Sequence, residues 1–566
     1  MLYSKLCEMY EKLEATTKGL EKTSILAEFL KEIVSEPQTI YLIQGRFFAD
    51  YDEKETGISE QLAIKSISKS SGLSDDKVIK EFKKLGDLGK TAEFLMSSGK
   101  QQGLFVQKLT TQKILESLRK LPETEGKGAV DRKFGIISEL MSFASAKEAK
   151  YIIRTILGDL KIGIGSGLIR DAVVEFAFHP QTIEEKKQKA EVVQTALDKA
   201  TDFAEVFEKA SKGEKELEKI TLSPGKPVKV MLYPKAKNIV DAFEIVGKPA
   251  AFEKKYDGFR MMINKDERGN ISIFTRRLDN VTKQFPDAVK YVKEHVNADT
   301  FIIDCEAVGF DGKTKKYKPF QDISQRIRRK YDIERLEQEL PIELNVFDII
   351  YCNGKSYIDE PFLERRKLIE KIIKPVKYEI VLAEQLITDD EKLAEDFYNK
   401  ALEEGQEGVM VKNLESIYKP GARIGYAVKL KPDPNEFDLV ITGAEWGTGK
   451  RAGWLTSFDV SCRDEDGNLL EIGKVSTGLK EKREEGLSFD ELTEELRPLI
   501  ISEEAKHVQV KPEVVVMVGY QNIQASPTYT SGFAMRFPRM LRVRPDRSIN
   551  DVVSLDIVKE EVSKEK

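Results

Sequence analysis

The sequence predicts a multidomain protein of three successive classes: an all-α N-terminal domain, an α/β (α+β) core and a C-terminal β-barrel. Three observations carry this reading. The chain has 566 residues, more than one hydrophobic core organises. Up to about residue 220 its apolar residues recur at helical spacing. Beyond about residue 230, short β-type runs first alternate with helical ones and then dominate.

Each region has its own signals. In "TSILAEFLKEIV", Ile25, Leu26, Phe29, Leu30 and Ile33 share a helical face behind a Thr23/Ser24 cap. In "LSDDKVIKEFKKLG", Ser74 caps, Val78, Ile79, Phe82 and Leu85 form the stripe, and Gly86 stops it. No fixed-period repeat is present. "LSPGKPVKVMLYPKAK" gathers Pro224, Gly225, Pro227 and Pro234 and reads as a linker or extended arm. Strands are expected in "AAFEKKY", "ISIFTRR", "TFIIDCEAVGF", "ELNVFDII", "GVMVKN" and "YAVKLKP". In the last region an "EDGN" turn joins two alternating strands, "EVVVMVGY" supplies another, and the pattern fits a small barrel. The tail "IVKEEVSKEK" reads as a solvated helix or frayed end. The expected domains are 1–222, 223–432 and 433–566.

Composition narrows the chemistry. The chain is 40% hydrophobic and 33% charged, as a soluble protein is. No apolar run approaches the roughly 20 residues of a membrane helix, and the charged N-terminus is unlike a signal peptide. The reading is a cytoplasmic, intracellular protein with no membrane partner. The four cysteines (Cys7, Cys305, Cys352, Cys462) and three histidines (His179, His295, His507) are scattered. That argues against a zinc ribbon, a disulfide framework and histidine catalysis. Lys, Arg, Asp and Glu must carry the activity. A net charge of −5 announces no polyanion partner, but a local basic face still acts within a Debye length of about 8–10 Å.

The stretch "AFEKKYDGFRMMI" sets two lysines between two acids. If it is a strand entering a Gly258 turn, Glu253, Lys255 and Asp257 share one face and Lys254 points away. Alone, this reads first as a structural ion pair. The pattern recurs, however. Asp304 and Glu306 lie on one face of an apolar strand, Phe347 and Asp348 end another, Glu407 and Lys412 bracket "GVMVK", and Lys429 and Lys431 share a face. Carboxylates for Mg²⁺ and cations for phosphate form the inventory of a polyanion site with a metal.

Lys255-Tyr256-Asp257-Gly258-Phe259-Arg260 matches the KxDGxR signature of covalent nucleotidyltransferases, and "DCE", "VFDI", "EGVMVK", "AVKLK" and "RVRPDR" follow in that family's order. With its helical N-terminal region, the whole chain resembles an ATP-dependent DNA ligase of the archaeal/eukaryotic type. The resemblance implies a helical DNA-binding domain, an adenylation core and an OB-fold. It implies ATP and Mg²⁺ (or Mn²⁺) as cofactors, nicked double-stranded DNA as substrate and a monomeric enzyme. Lys255 would take AMP as a phosphoramidate, pass it to the 5′-phosphate of a nick, and the 3′-hydroxyl would displace it. By the same resemblance Glu253 would sit at the adenine, Phe347 on its face and Glu306 on the ribose. Arg260 and Arg276, rather than Arg277, would reach sugar and phosphates; Arg423, Lys429 and Lys431 would hold phosphate. Glu306 and Glu407 would hold the metal, Lys412 and Lys429 would be the cations that lower the pKa of the nucleophile, Asp257 belongs to the motif itself, and Arg544, Asp546 and Arg547 would act from the C-terminal motif. Two departures stand out: Cys305 where the family has glycine, and Arg547 where it has lysine.

Three further motifs carry weaker signals. "EWGTGKRAG" lacks P-loop spacing and reads as a barrel loop. "KIGIGSGLIR" lacks GxGxxG and is flanked by helical patterns, but by the same resemblance Gly163, Gly165 and Gly167 would offer backbone amides to DNA phosphates. "QQGLF" reads either as a shortened sliding-clamp peptide through Gln101, Leu104 and Phe105 or as a buried apolar pair. RNA ligases and capping guanylyltransferases would share the lysine chemistry. A non-catalytic DNA-binding protein would not need Lys255, Glu306, Glu407 and Lys429 together.

Overall fold

A computed structural model describes residues 1–49, 51–52, 54, 56–98, 108–318, 323, 326–327, 333–421, 425–432 and 435–564. The clamp-peptide residues Gln101, Leu104 and Phe105, and also Arg423, lie outside the described residues. The chain divides into two compact units, Met1–Lys431 and Pro432–Lys566.

The first unit opens with helices from Tyr3–Glu14 to Glu214–Glu218, and one apolar core runs from Tyr3 to Ile220. The helix Asp75–Leu85 ends at Gly86, at φ 65, as its sequence predicts, and Ser74 holds the N-cap position, but its side chain makes no capping hydrogen bond. The helix Gly19–Glu32 differs from expectation. It begins before Thr23, whose hydroxyl donates back to the Gly19 carbonyl at 3.1 Å and so cannot cap. Buried cations join these helices. Lys150 meets Glu11 at 2.7 Å and Glu14 at 2.9 Å, and Arg154 meets Glu14 and Asp87, each at 3.0 Å.

The proline-rich stretch is an arm and not a free linker. Leu222, Val228, Val230 and Met231 are buried against Phe274 and Ile302. Two sheets follow. The strands are β1 (Ala250–Lys255), β2 (Phe259–Lys265), β3 (Ile271–Thr275), β4 (Phe301–Gly309), β5 (Ile342–Cys352), β6 (Lys355–Ser356), β7 (Ile380–Leu382), β8 (Gln385–Thr388), β9 (Gly408–Asn413) and β10 (Ala427–Leu430). One sheet has the order β10-β9-β1-β8; the other is β3-β2-β4-β5-β6, with β7 parallel to β5. The chain crosses from one sheet to the other between β1 and β2, at the Tyr256–Gly258 turn.

The second unit is strand-rich. Its strands begin with β11 (Asn435–Trp446), β12 (Leu455–Arg463) and β13 (Leu469–Val475), the last two joined across the expected turn. They continue with β14 (Ile500–Glu504), β15 (His507–Val510), β16 (Val515–Tyr520), β17 (Ile523–Ala525), β18 (Phe533–Met535) and β19 (Arg539–Val543). The long β11 pairs with β12 along one edge and with β16 and then β15 along the other, the curling expected of a small barrel. The tail forms the helix Leu555–Lys564.

Candidate active site

The site forms where β1 ends. Alternation along β1 sends neighbouring lysines to opposite faces. Lys254 is buried between Glu404 and Glu384, the latter at 2.5 Å. Lys255 meets Glu407 at 2.5 Å, and Lys431 reaches the same carboxylate oxygen. Glu407 stands beside β1 because its amide donates to the Lys255 carbonyl at 2.9 Å. Gly258 then lets β2 start against β4. A Cβ there would lie 2.3 Å from the Ala307 carbonyl oxygen and 3.0 Å from Glu306 Cγ.

The carboxylate of Glu306 has no hydrogen bond or ion pair among the described residues. Although its tip is partly exposed, loss of bulk water pushes its carboxyl up to about 7, against the pull of Lys255 and Arg260. Glu407 behaves oppositely. Burial would raise it, but Lys255 and Lys431 outweigh burial and hold it at about 2. Burial, and then the Lys255 charge, lower Lys431.

Two supports flank this centre. Glu253 is buried, accepts from Gln385 at 2.9 Å and lies 3.6 Å from Arg366. Its 2.6 Å charge contact with Lys412 has angles outside hydrogen-bond geometry. Arg260 grips the fully buried Asp304, donating from Nε at 2.8 Å, and donates to the Met231 carbonyl at 2.8 Å. The Phe347 ring lies between the two supports, 5.4 Å from the Arg260 guanidinium and 4.8 Å from the Lys412 ammonium. Beneath it, Asp348 is locked to Arg365 at 2.7 Å and 3.1 Å.

Lys255, Glu253, Arg260, Glu306, Phe347, Glu407, Lys412 and Lys431 therefore form one network of strands and contacts. Asp257 and Lys429 are half-buried on the adjoining turn and on β10. Arg276 is exposed on the turn after β3. Gly163 and Gly165 are exposed on the loop leading into the helix Ser166–Phe178, and Gly167 is exposed in its first turn. In the second unit Arg544 bonds Asp438 at 2.9 Å and Asp546 at 2.8 Å, while Arg547 lies 3.7 Å from Asp438. Sequence reasoning missed Arg366 and Gln385 behind Glu253, and Tyr418, which donates to Asp304 at 3.1 Å. Their spacing carried no signal, because an arginine in an amphipathic helix reads as solvated.

Two sheets that meet at a lysine paired with a carboxylate, beside a half-buried acid without a partner, suit the class of nucleotidyltransferases. Comparison with known proteins narrows the class. Residues 230–431 match the ATP dependent DNA ligase domain, 2–174 the DNA ligase N terminus and 451–547 the ATP dependent DNA ligase C terminal region. A DNA ligase of Nanoarchaeum equitans is 46% identical, covering 99% of this chain and 98% of its own. One from Thermococcus fumicolans is 41% identical with the same coverage. The solved structure Pmar-Lig_Pre shares the fold at a TM-score of 0.56 and 16% identity, covering 95% of this chain and 98% of its own. The chain belongs to the ATP-dependent DNA ligase family.

Proposed function

We propose that this enzyme seals nicks in duplex DNA with ATP through a covalent adenylate on Lys255, serving replication, repair and recombination. The observation that carries the proposal is the position of Lys255 at the end of β1, paired with Glu407 and beside the unpartnered Glu306. The match of residues 2–174 to the DNA ligase N terminus disfavours the RNA ligase and capping alternatives.

The chemistry follows from the charges. Lysine at its reference pKa of about 10.4 is neutral in fewer than about one molecule in a thousand at pH 7. Lys255 must shed a proton before its Nζ attacks the α-phosphorus of ATP. The new N–P bond replaces the bond to the departing pyrophosphate. Glu407 keeps Lys431 as a counter-ion when Lys255 loses its charge, so its carboxylate is not stranded. The 5′-phosphate of the nick then displaces Lys255 from AMP, and the 3′-hydroxyl attacks that phosphate and expels AMP. Positioning and fixed charge supply the catalysis.

The donor set fits Mg²⁺: Glu306 is a shielded carboxylate without a partner, and the carboxylate of Glu407, held ionised, acts on it from nearby. Glu306 and Glu407 would hold the ion, whose bound charge neutralises the polyphosphate. Glu253 and Phe347 would seat the adenine. Arg260, Arg276, Arg423, Lys429 and Lys431 would serve sugar and phosphates, with Lys412 and Lys429 also easing proton loss from the nucleophile, Asp257 belonging to its motif, and Arg544, Asp546 and Arg547 acting from the C-terminal motif. Gly163, Gly165 and Gly167 would meet DNA phosphates. The three-domain division at 222 and 432, the monomeric state, the cytoplasmic location and a sliding clamp bound through Gln101, Leu104 and Phe105 belong to the same proposal. Among the described residues no helix is long and apolar enough to cross a membrane.

The test is intact mass and peptide mapping after incubation with ATP and Mg²⁺, followed by a chase with nicked duplex. One AMP on Lys255, discharged with sealing, is expected. An adduct on Lys254, or none, overturns the proposal; an adduct formed only with GTP moves it to the capping class.

A further inference from the structure

We infer that the lysine-rich turn following β4 is a docking surface for the phosphates of duplex DNA beside the nick; this rests on the ligase reading above. β4 carries Glu306 and ends at Gly309. The chain then reverses, with a β-bridge between Phe310 and Tyr317 and the Lys318 amide donating to the Gly309 carbonyl at 2.8 Å. Asp311 fastens the tip. One of its oxygens accepts from the amides of Lys313 at 3.0 Å and Thr314 at 2.8 Å, and from the Thr314 hydroxyl at 3.0 Å. These bonds, the Thr314 amide foremost, hold the Asp311 carboxyl below its ordinary value. Lys315 occupies φ 60, so the turn has a defined backbone shape.

That shape displays Lys313, Lys315, Lys316 and Lys318, joined by Lys377 from the segment before β7. The Phe310 and Tyr378 rings pack at 5.0 Å. Lys315 sits 4.8 Å and 5.0 Å from their centres, and Lys377 lies 5.1 Å from Tyr317 and 5.3 Å from Tyr378. The opposing carboxylates are few and occupied. Asp311 lies 3.8 Å from Lys318, and the buried Glu343 lies 3.6 Å from Lys377. Glu343 also accepts from the Tyr317 hydroxyl at 2.7 Å and the Tyr378 amide at 2.6 Å. Lys313 and Lys316 are exposed and have no carboxylate partner among the described residues.

A floppy lysine loop would be ordinary solvated surface. Here hydrogen bonds, a β-bridge and an aromatic floor already fix the backbone, which lowers the ordering cost of binding a polyanion. From Glu306 to Phe310 is four strand residues, about 13 Å at about 3.3 Å each. With one phosphate per strand for about every 3.4 Å of duplex axis, the turn begins within about four nucleotides, measured along the axis, of the reacting position. Lysine ammonium groups grip phosphate as point charges and read no base sequence. That suits an enzyme that must close a nick in any sequence.

The experiment changes Lys313, Lys315 and Lys316 together to Glu, and separately to Gln. It measures binding of nicked duplex by fluorescence anisotropy across a salt series, and lysyl-AMP formation without DNA. We expect unchanged adenylation in both variants. The slope of log affinity against log salt should shrink by about 2–3 for Gln, at about 0.9 per lost phosphate contact, and further for Glu. Unchanged affinity and slope overturn the inference, as does a loss confined to an acidic protein partner. Failure of the unmodified chain to form lysyl-AMP would instead count against the ligase reading, since the salt slope is measured without turnover. If the Glu variant fails to fold, the Gln variant, which adds no repulsion, decides.

Discussion

Lys255 and Lys431 place their ammonium groups on the same carboxylate oxygen of Glu407, although they come from the ends of different strands. Two like charges meet there only because one carboxylate separates them. Glu407→Gln leaves both cations facing each other, partly shielded from water. We expect a stability loss of about 1–3 kcal/mol at pH 7, reduced below a fully buried pair by their exposure. Lysyl-AMP formation should fall at least about 100-fold, because Lys255 loses its positioning partner. Denaturant melts and gel assays of adenylation check both outcomes. Unchanged adenylation would refute the role of Glu407.

Lys254 has no such access. Its amide donates to the Glu384 carbonyl at 3.3 Å, and the Glu384 amide donates to the Tyr256 hydroxyl at 3.1 Å. Glu384 therefore holds the residues on both sides of Lys255. Lys254→Met should still take AMP on Lys255, slowed by no more than about tenfold, whereas Lys255→Met should take none. Peptide mapping separates the two. Adenylation persisting in the Lys255 variant would sink the mechanism.

Alternation in "FEKKYDG" already separated the faces of Lys254 and Lys255, because strand period is a local property. The same rule put Asp304 and Glu306 on one face. It could not say that Asp304 is consumed by Arg260 and Tyr418 while Glu306 stands without a partner. That difference depends on which chain segments arrive from elsewhere. The β2 strand went unforeseen because Arg260 and Asn264 interrupt its apolar run, and both find partners: Arg260 in Asp304, and Asn264 in the Lys226 carbonyl at 2.7 Å. The Thr23 cap failed for a related reason: the hydroxyl satisfied a carbonyl inside an earlier-starting helix.

Gly258 answers to space. A Cβ added there would fall 2.3 Å from the Ala307 carbonyl oxygen, on the strand that carries Glu306. Neither backbone can yield without moving β2 away from β4. Gly258→Ala should cost about 1–3 kcal/mol by overpacking and lower adenylation at least about 100-fold by shifting Lys255 relative to Glu306. Unchanged adenylation kinetics in a folded variant would contradict this.

The last prediction concerns acid. Glu14 and Asp87 are each held at about 2; burial would raise both, but hydrogen bonds and charge from Arg154, with Lys150 for Glu14 and Lys161 for Asp87, outweigh it. Their folded-state values lie below those of the unfolded chain, so the stability they contribute is present above about pH 4.5. It is lost as pH falls toward 2. At about 1.4 kcal/mol per unit, discounted for the partial exposure of Glu14, the two together account for roughly 3–5 kcal/mol. Arg154→Met strands two shielded carboxylates and should cost about 3–5 kcal/mol at pH 7. It should also flatten the pH dependence between about 4.5 and 2, because carboxylates without the guanidinium titrate nearer their ordinary values. Far-UV circular dichroism melts across this range follow the helical region directly. A variant whose melting point falls with acid as steeply as the parent's would show that Arg154 does not set these values.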